Sequence, residues 1–135
     1  MKKKTYPLYY AGRQQHFARS VVVGNLVFLS GMSGRTMQTG DVSSDDVKEQ
    51  MLVALDKVRA ALEEAGSSME HIVKTVIYLK DVKDYDVMRT TEWEYYQKYA
   101  PGLIEAPPAS TFMQPASLSR ANMLVEIDVV ACLKD

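Results

Sequence analysis

The chain has 135 residues, 47% hydrophobic and 24% charged, a size and balance that fit one domain over residues 1–135 and leave no room for a second. Its 16 basic and 17 acidic residues leave a net charge of -1, so no global field draws in phosphate backbones, and nucleic-acid binding is not expected. A core of this size needs neither disulfide nor structural metal, the single Cys132 closes no internal disulfide, and no apolar run approaches the ~20 residues of a membrane helix, so a cytoplasmic location away from membranes is expected.

The Lys2-Lys3-Lys4 run reads as a solvated tail. Polar Gly12-Arg13-Gln14-Gln15 follows Tyr10 almost at once, which leaves no apolar region for a secretion signal. A short extended piece is expected before Tyr10. The β-branched and apolar stretches 18–23 and 26–30 are separated only by Gly24-Asn25, the dipeptide of a tight hairpin turn. A helix is predicted over about 45–65, where Val47, Met51, Ala54, Leu55, Val58, Ala61 and Leu62 recur on one face. Ser43 or Ser44 marks its start, with Asp45 and Asp46 in the first turn at its positive end, and Gly66 is placed to stop it. A strand follows over 72–79, then a second helix over about 84–99 that ends before Pro101-Gly102. An extended segment, 109–114, follows Pro107-Pro108. In a long strand, 123–133, Leu124, Glu126 and Asp128 alternate with Val125, Ile127 and Val129. This order predicts an α+β two-layer sandwich, a mixed sheet with two helices on one face. Two helices cover one face only, so another subunit is expected on the other.

Metal binding fails on inventory, because His16, His71 and Cys132 have none of the spacings that ligands need. The glycines around residues 31–40 match neither a nucleophile elbow nor a phosphate-binding loop. Three features point to chemistry, each with a plain structural alternative. Ser30-Gly31-Met32-Ser33-Gly34 would let backbone N–H groups face a ligand, or it is only a turn. Pro107-Pro108-Ala109-Ser110-Thr111 sets small hydroxyls on an extended segment that lines a pocket or forms an edge strand. Glu126 stands in an apolar run, where burial would raise its pKa and suit it to acid–base work; a solvated sheet face explains it as well.

In chain order these features resemble the Rid/YjgF family, also known as endoribonuclease L-PSP and reactive intermediate deaminase. The likeness is carried by residues 24–31, by Thr39-Gly40-Asp41-Val42, by Leu62-Glu63-Glu64-Ala65-Gly66, by residues 72–81, by Pro108-Ala109-Ser110-Thr111 and by Leu124-Val125-Glu126-Ile127-Asp128. It implies a chorismate-mutase-like fold and a homotrimer around a central barrel, with small-metabolite pockets in the clefts between subunits. In the deaminase branch such pockets hydrolyse enamines and imines without a cofactor. There an arginine grips the substrate carboxylate and a glutamate handles the attacking water. Ser110 stands here in the arginine's place, with Thr111 keeping the neighbouring hydroxyl, and the glutamate corresponds to Glu126. The family's pocket tyrosine aligns with Phe17 and a further glutamate with Gln114, while Gly31 and Phe112 supply backbone donors at opposite walls. Arg89 and Arg120 are candidates to restore the charge, or they are surface ion-pairing residues.

A charged bidentate hydrogen bond contributes about 1.5–3 kcal/mol and a neutral hydroxyl about 0.5–1.5 kcal/mol, so the exchange weakens carboxylate binding roughly tenfold or more. Two functions fit the resemblance. One is an imine or enamine hydrolase with an altered substrate; the other is a non-catalytic module that holds a small metabolite in the same cleft.

Overall fold

Backbone pairing starts earlier than the side-chain pattern suggests. In the computed structural model, which describes residues 2–135, β1 (Lys3–Tyr10) pairs antiparallel with β2 (Arg13–Val23). Lys3 and Lys4 therefore belong to a strand, which corrects the solvated tail expected of the lysine run. β1 has no neighbour on its outer side, and lysines are common on such edges because they deter further pairing. Ala11 and Gly12 make the turn, both with positive φ (50° and 76°), as a two-residue hairpin loop requires. The register shifts on either side of Pro7, which has no N–H to give to a ladder.

The remaining elements follow the expected order. They are β3 (Leu26–Leu29), β4 (Met32–Ser33), α1 (Val47–Glu64), β5 (Ile72–Leu79), α2 (Tyr85–Tyr99), a four-residue α3 (Gly102–Glu105), β6 (Ala109–Met113) and β7 (Val125–Cys132). Asp46, rather than Ser43 or Ser44, caps α1: its carboxylate lies outside the first turn and accepts from the Glu49 N–H at 3.1 Å, while Ser44 Oγ accepts from the Asp46 N–H at 3.0 Å. Gly66, at φ 89°, lets the chain turn away after the helix. Met123 and Leu124, expected in the last strand, lie before β7, because the Leu124 N–H donates to the Gln50 side chain (2.8 Å).

The strand order is β1-β2-β3-β7-β5-β6, with β4 also on β7, and among the described residues β5–β6 is the one parallel pair. α1 and α2 bury one face of this mixed sheet, with Met51, Leu55, Val58, Leu62 and Met88 against Val27, Ile77 and Ile127. This is the α+β two-layer sandwich that the element order predicts. The alternate residues of the same strands meet no second layer: Leu26 and Phe28 are 37% and 43% exposed. Among the described residues no helix is long and apolar enough to cross a membrane.

Candidate functional site

The period-two alternation of β7 turns Val125 and Ile127 into the core and leaves Glu126 and Asp128 on the uncovered face. Glu126 pairs with Ser33 of β4 on one side and Tyr78 of β5 on the other. Between β3 and β4 the register against β7 slips by one residue, from Phe28↔Val130 to Met32↔Ile127. Ser30 and Gly31 occupy this break, and the Ser30 hydroxyl donates to the Ala18 carbonyl. Gly31 faces the Glu126 carboxyl so closely that a Cβ there would lie 2.8 Å from its Cδ and Oε1. Only glycine permits this approach.

Half-buried Glu126 has its pKa raised, first by desolvation and then by the negative charge of Asp128, while the Lys57 cation opposes both. Asp128 itself accepts from the Tyr78 hydroxyl at 3.1 Å. The carboxyl is thus biased toward binding a proton, and it stands beside the half-buried backbone of Ser30 and Gly31.

Lys57 lies outside the candidate residues named from the sequence. It is 5% exposed, and its Nζ donates to the Tyr10 hydroxyl (2.9 Å) and to the Arg35 carbonyl (2.8 Å). Burial, then the positive charge of Arg35, lowers its pKa to about 7. Tyr10 also carries the Arg35 guanidinium 4.0 Å from its ring centroid. A signal was available: Lys57 is three residues after Ala54 and four before Ala61, inside the apolar stripe of α1, where a solvated lysine does not belong.

The structure brings Gly31 and Glu126 together, but it keeps the residues of β6 apart from them within one protomer. β5 separates β6 from β7, so two strand spacings, roughly 10 Å, intervene. The Ser110 hydroxyl accepts from that of Thr75 (2.9 Å), and the Thr111 hydroxyl accepts from Lys74 Nζ (2.8 Å). The Phe112 ring meets Tyr85 edge-on, with centroids 5.1 Å apart. Gln114 Oε1 accepts from the Val82 N–H at 2.7 Å. Phe17 projects from β2 and is 51% exposed beside a shallow cavity lined by Pro7, Gln14 and Gln15. Arg89 donates to the Tyr85 hydroxyl (3.1 Å) and to Glu92 (3.0 Å), whereas Arg120 pairs with Asp41 at 2.9 Å.

A two-layer α+β sandwich with a glycine-backed carboxyl on its open sheet face defines the class of protein. The profile of the endoribonuclease L-PSP family matches residues 11–133, and the chain belongs to that family, the Rid/YjgF proteins. It is 30% identical over 115 residues to a RutC family protein of Pyrococcus abyssi, covering 85% of this chain and 84% of that one. To the 2-iminobutanoate/2-iminopropanoate deaminase of Escherichia coli it is 29% identical over 115 residues, 85% of each chain. A crystal structure of a putative endoribonuclease L-PSP from Entamoeba histolytica superposes with a TM-score of 0.83 at 28% identity, covering 98% of this chain and 100% of the other. The fold is therefore the chorismate-mutase-like one, and the general function is of Rid type.

Proposed function

We propose that the protein hydrolyses a small imine or enamine without a cofactor, in clefts that complete themselves when protomers associate as a homotrimer. The observation that carries this reading is the Glu126 carboxyl, held against Gly31 with its proton affinity raised, on a sheet face that no helix covers. Exposed Leu26, Phe28 and Met113 support burial of that face, around a central barrel, by further copies of the chain. Water adds to the C=N carbon while Glu126 takes one of its protons. The same carboxyl returns the proton to nitrogen to give a carbinolamine; the hydroxyl proton then passes through Glu126 to nitrogen as the C–N bond breaks, and a carbonyl product leaves with ammonia. Gly31 and Phe112 offer backbone donors, Ser110, Thr111 and Gln114 polar contacts, and Phe17 an apolar wall. Because Ser110 brings no charge, the altered substrate has no carboxylate anchored at β6.

One observation favours a non-catalytic binding module instead. The Ser110 hydroxyl and the Gln114 amide oxygen are already engaged, by Thr75 and the Val82 N–H. The two readings part in an assay in which an amino-acid oxidase generates 2-iminopropanoate in situ, semicarbazide traps what survives, and buffer hydrolysis is subtracted. A hydrolase accelerates the reaction, loses turnover in Glu126→Gln and keeps its ligand affinity. If the protein is inactive as it stands and active as Ser110→Arg, the scaffold is competent but its pocket serves another ligand. No turnover from either form supports the binding module.

A further inference from the structure

Three guanidinium groups, those of Arg13, Arg35 and Arg120, line a cavity of about 550 Å³ beside the Ala11-Gly12 turn, and Asp41 is the one carboxylate in its wall. Arg35 is built into place. Its Nε donates to the Gly40 carbonyl at 2.7 Å and its guanidinium stacks on Tyr10. Its own carbonyl is gripped from behind by Lys57. The loop around it is closed by Thr36 N–H to Asp41 O (2.9 Å) and Gly40 N–H to Thr36 O (2.8 Å), and the Ala11 N–H docks the hairpin turn onto it through Met37 O (2.9 Å). Among the described residues the terminal nitrogens of Arg35 have no hydrogen-bond partner, so its planar fork is immobilised with donors to spare. Arg120, tied to Asp41 by one nitrogen, adds a second fork whose other donors are uncommitted. Gathering like charges around a hollow with one counterion opposes folding, and an anion in the hollow relieves that repulsion.

We infer that this cavity binds the carboxylate of a small 2-oxo or 2-imino acid, with Arg35 as the principal anchor and Arg120 as the second. The inference rests on the hydrolase reading for the ligand's chemical class alone. The charge that Ser110 does not supply is then supplied from the segments around Tyr10. That ring forms part of the cavity wall, which Glu126 and Gly31 do not line, and its hydroxyl accepts from Lys57 Nζ at 2.9 Å. Because the forks are planar and pre-positioned, they suit a planar carboxylate better than an uncharged isostere.

The test is an amide NMR titration of the full-length protein with pyruvate, with neutral pyruvamide as the control. Pyruvate should perturb residues 10–13 and 35–41 saturably, and pyruvamide should bind at least about tenfold more weakly. Arg35→Gln should weaken pyruvate binding about tenfold or more, Arg35→Lys by less, and the exposed Arg120→Gln severalfold, with the amide spectrum itself reporting that each variant is folded. Pyruvate shifts that are unchanged in Arg35→Gln and Arg120→Gln, equal binding of pyruvamide, or no saturable shift at all would each overturn the site. Because binding is read without turnover, saturable binding in a protein that hydrolyses no imine keeps the site and removes the hydrolase. Turnover whose KM is the same in both variants does the reverse.

Discussion

Replacing Lys57 by methionine should change how stability depends on pH more than it changes stability at any single pH. In the folded protein, burial and then the nearby Arg35 charge bring the ammonium pKa from 10.5 down to about 7, with Glu126 pulling the other way. In the unfolded chain the amine keeps its proton to about pH 10.4. Between those two values the unfolded chain binds more protons, so stability rises with pH; below pH 7 both forms are protonated and the burial penalty acts in full. The limiting slope is about 1.4 kcal/mol per pH unit, and integration over a folded-state value near 7 gives about 2.7 kcal/mol between pH 6 and pH 9. Methionine preserves the aliphatic stem but leaves the Tyr10 hydroxyl and the Arg35 carbonyl without their donor, a loss of about 1–3 kcal/mol that does not vary with pH in this range. At pH 6 the burial penalty opposes the native protein in full, whereas by pH 9 about 2.7 kcal/mol of it has been lifted and the lost hydrogen bonds weigh more. Denaturant unfolding of both proteins at several pH values measures this directly, since most other titrating groups cancel in the difference. The stability difference should grow in favour of the native protein by about 2–3 kcal/mol from pH 6 to pH 9. A difference flat to within about 0.5 kcal/mol would mean that the amine keeps its ordinary affinity for protons and that the buried network does not perturb it.

Gly31→Ala puts a methyl group 2.8 Å from the Glu126 carboxyl without demanding a left-handed backbone. Displacing that carboxyl by up to about 1 Å should lower kcat for imine hydrolysis about 100-fold while the fold survives; unchanged kcat in steady-state kinetics would show that turnover does not depend on the placement of Glu126. Asp128→Asn removes the second cause of the raised Glu126 pKa. A carboxyl whose folded pKa lies above its unfolded one contributes stability at acid pH that is lost as pH rises through the folded value. The variant should therefore titrate Glu126 at lower pH in a carbon-detected NMR experiment and narrow that window, and an unmoved midpoint would count against the coupling. Gly34→Ala places a Cβ 2.7 Å from Gln50 Cβ and Cγ and 3.0 Å from its Cα, where helix backbone cannot give way. A loss of about 1–3 kcal/mol is expected in thermal unfolding, and an unchanged Tm would contradict the tight packing.

The elements that punctuate themselves were legible in the sequence. Gly66 marks the end of α1 and Gly24-Asn25 the second hairpin, because a residue at positive φ is a local requirement with few solutions, whereas each of residues 43–46 is able to cap and only the fold selects Asp46. The first hairpin was hidden because Ala11, a residue that rarely adopts φ 50°, makes half of its turn and lysines and glutamines crowd its strands. Half of the candidate site was readable for the same local reason. Alternation along β7 shows which face Glu126 takes, and a glycine after β3 signals close approach.

Periodicity says which face of a strand a residue occupies, but not which strand lies beside it. β7, the last strand in the chain, inserts between β3 and β5, and that single step sets Gly31 against Glu126 while moving Ser110 and Gln114 two strands away. The same long-range pairing gathers the cations. Arg13 comes from the first hairpin, Arg35 from the loop after β4, Lys57 from the middle of α1 and Arg120 from the segment before β7. None of these positions is marked by its neighbours in sequence except Lys57, which interrupts an apolar stripe. With an anion held there, the charge absent at residue 110 is supplied by a surface that only the folded sheet assembles. Introducing an arginine at residue 110 should then add little to pyruvate affinity, because the carboxylate is already held elsewhere. A gain of tenfold or more in Ser110→Arg would instead place the anion at β6 and leave the four cations a structural role.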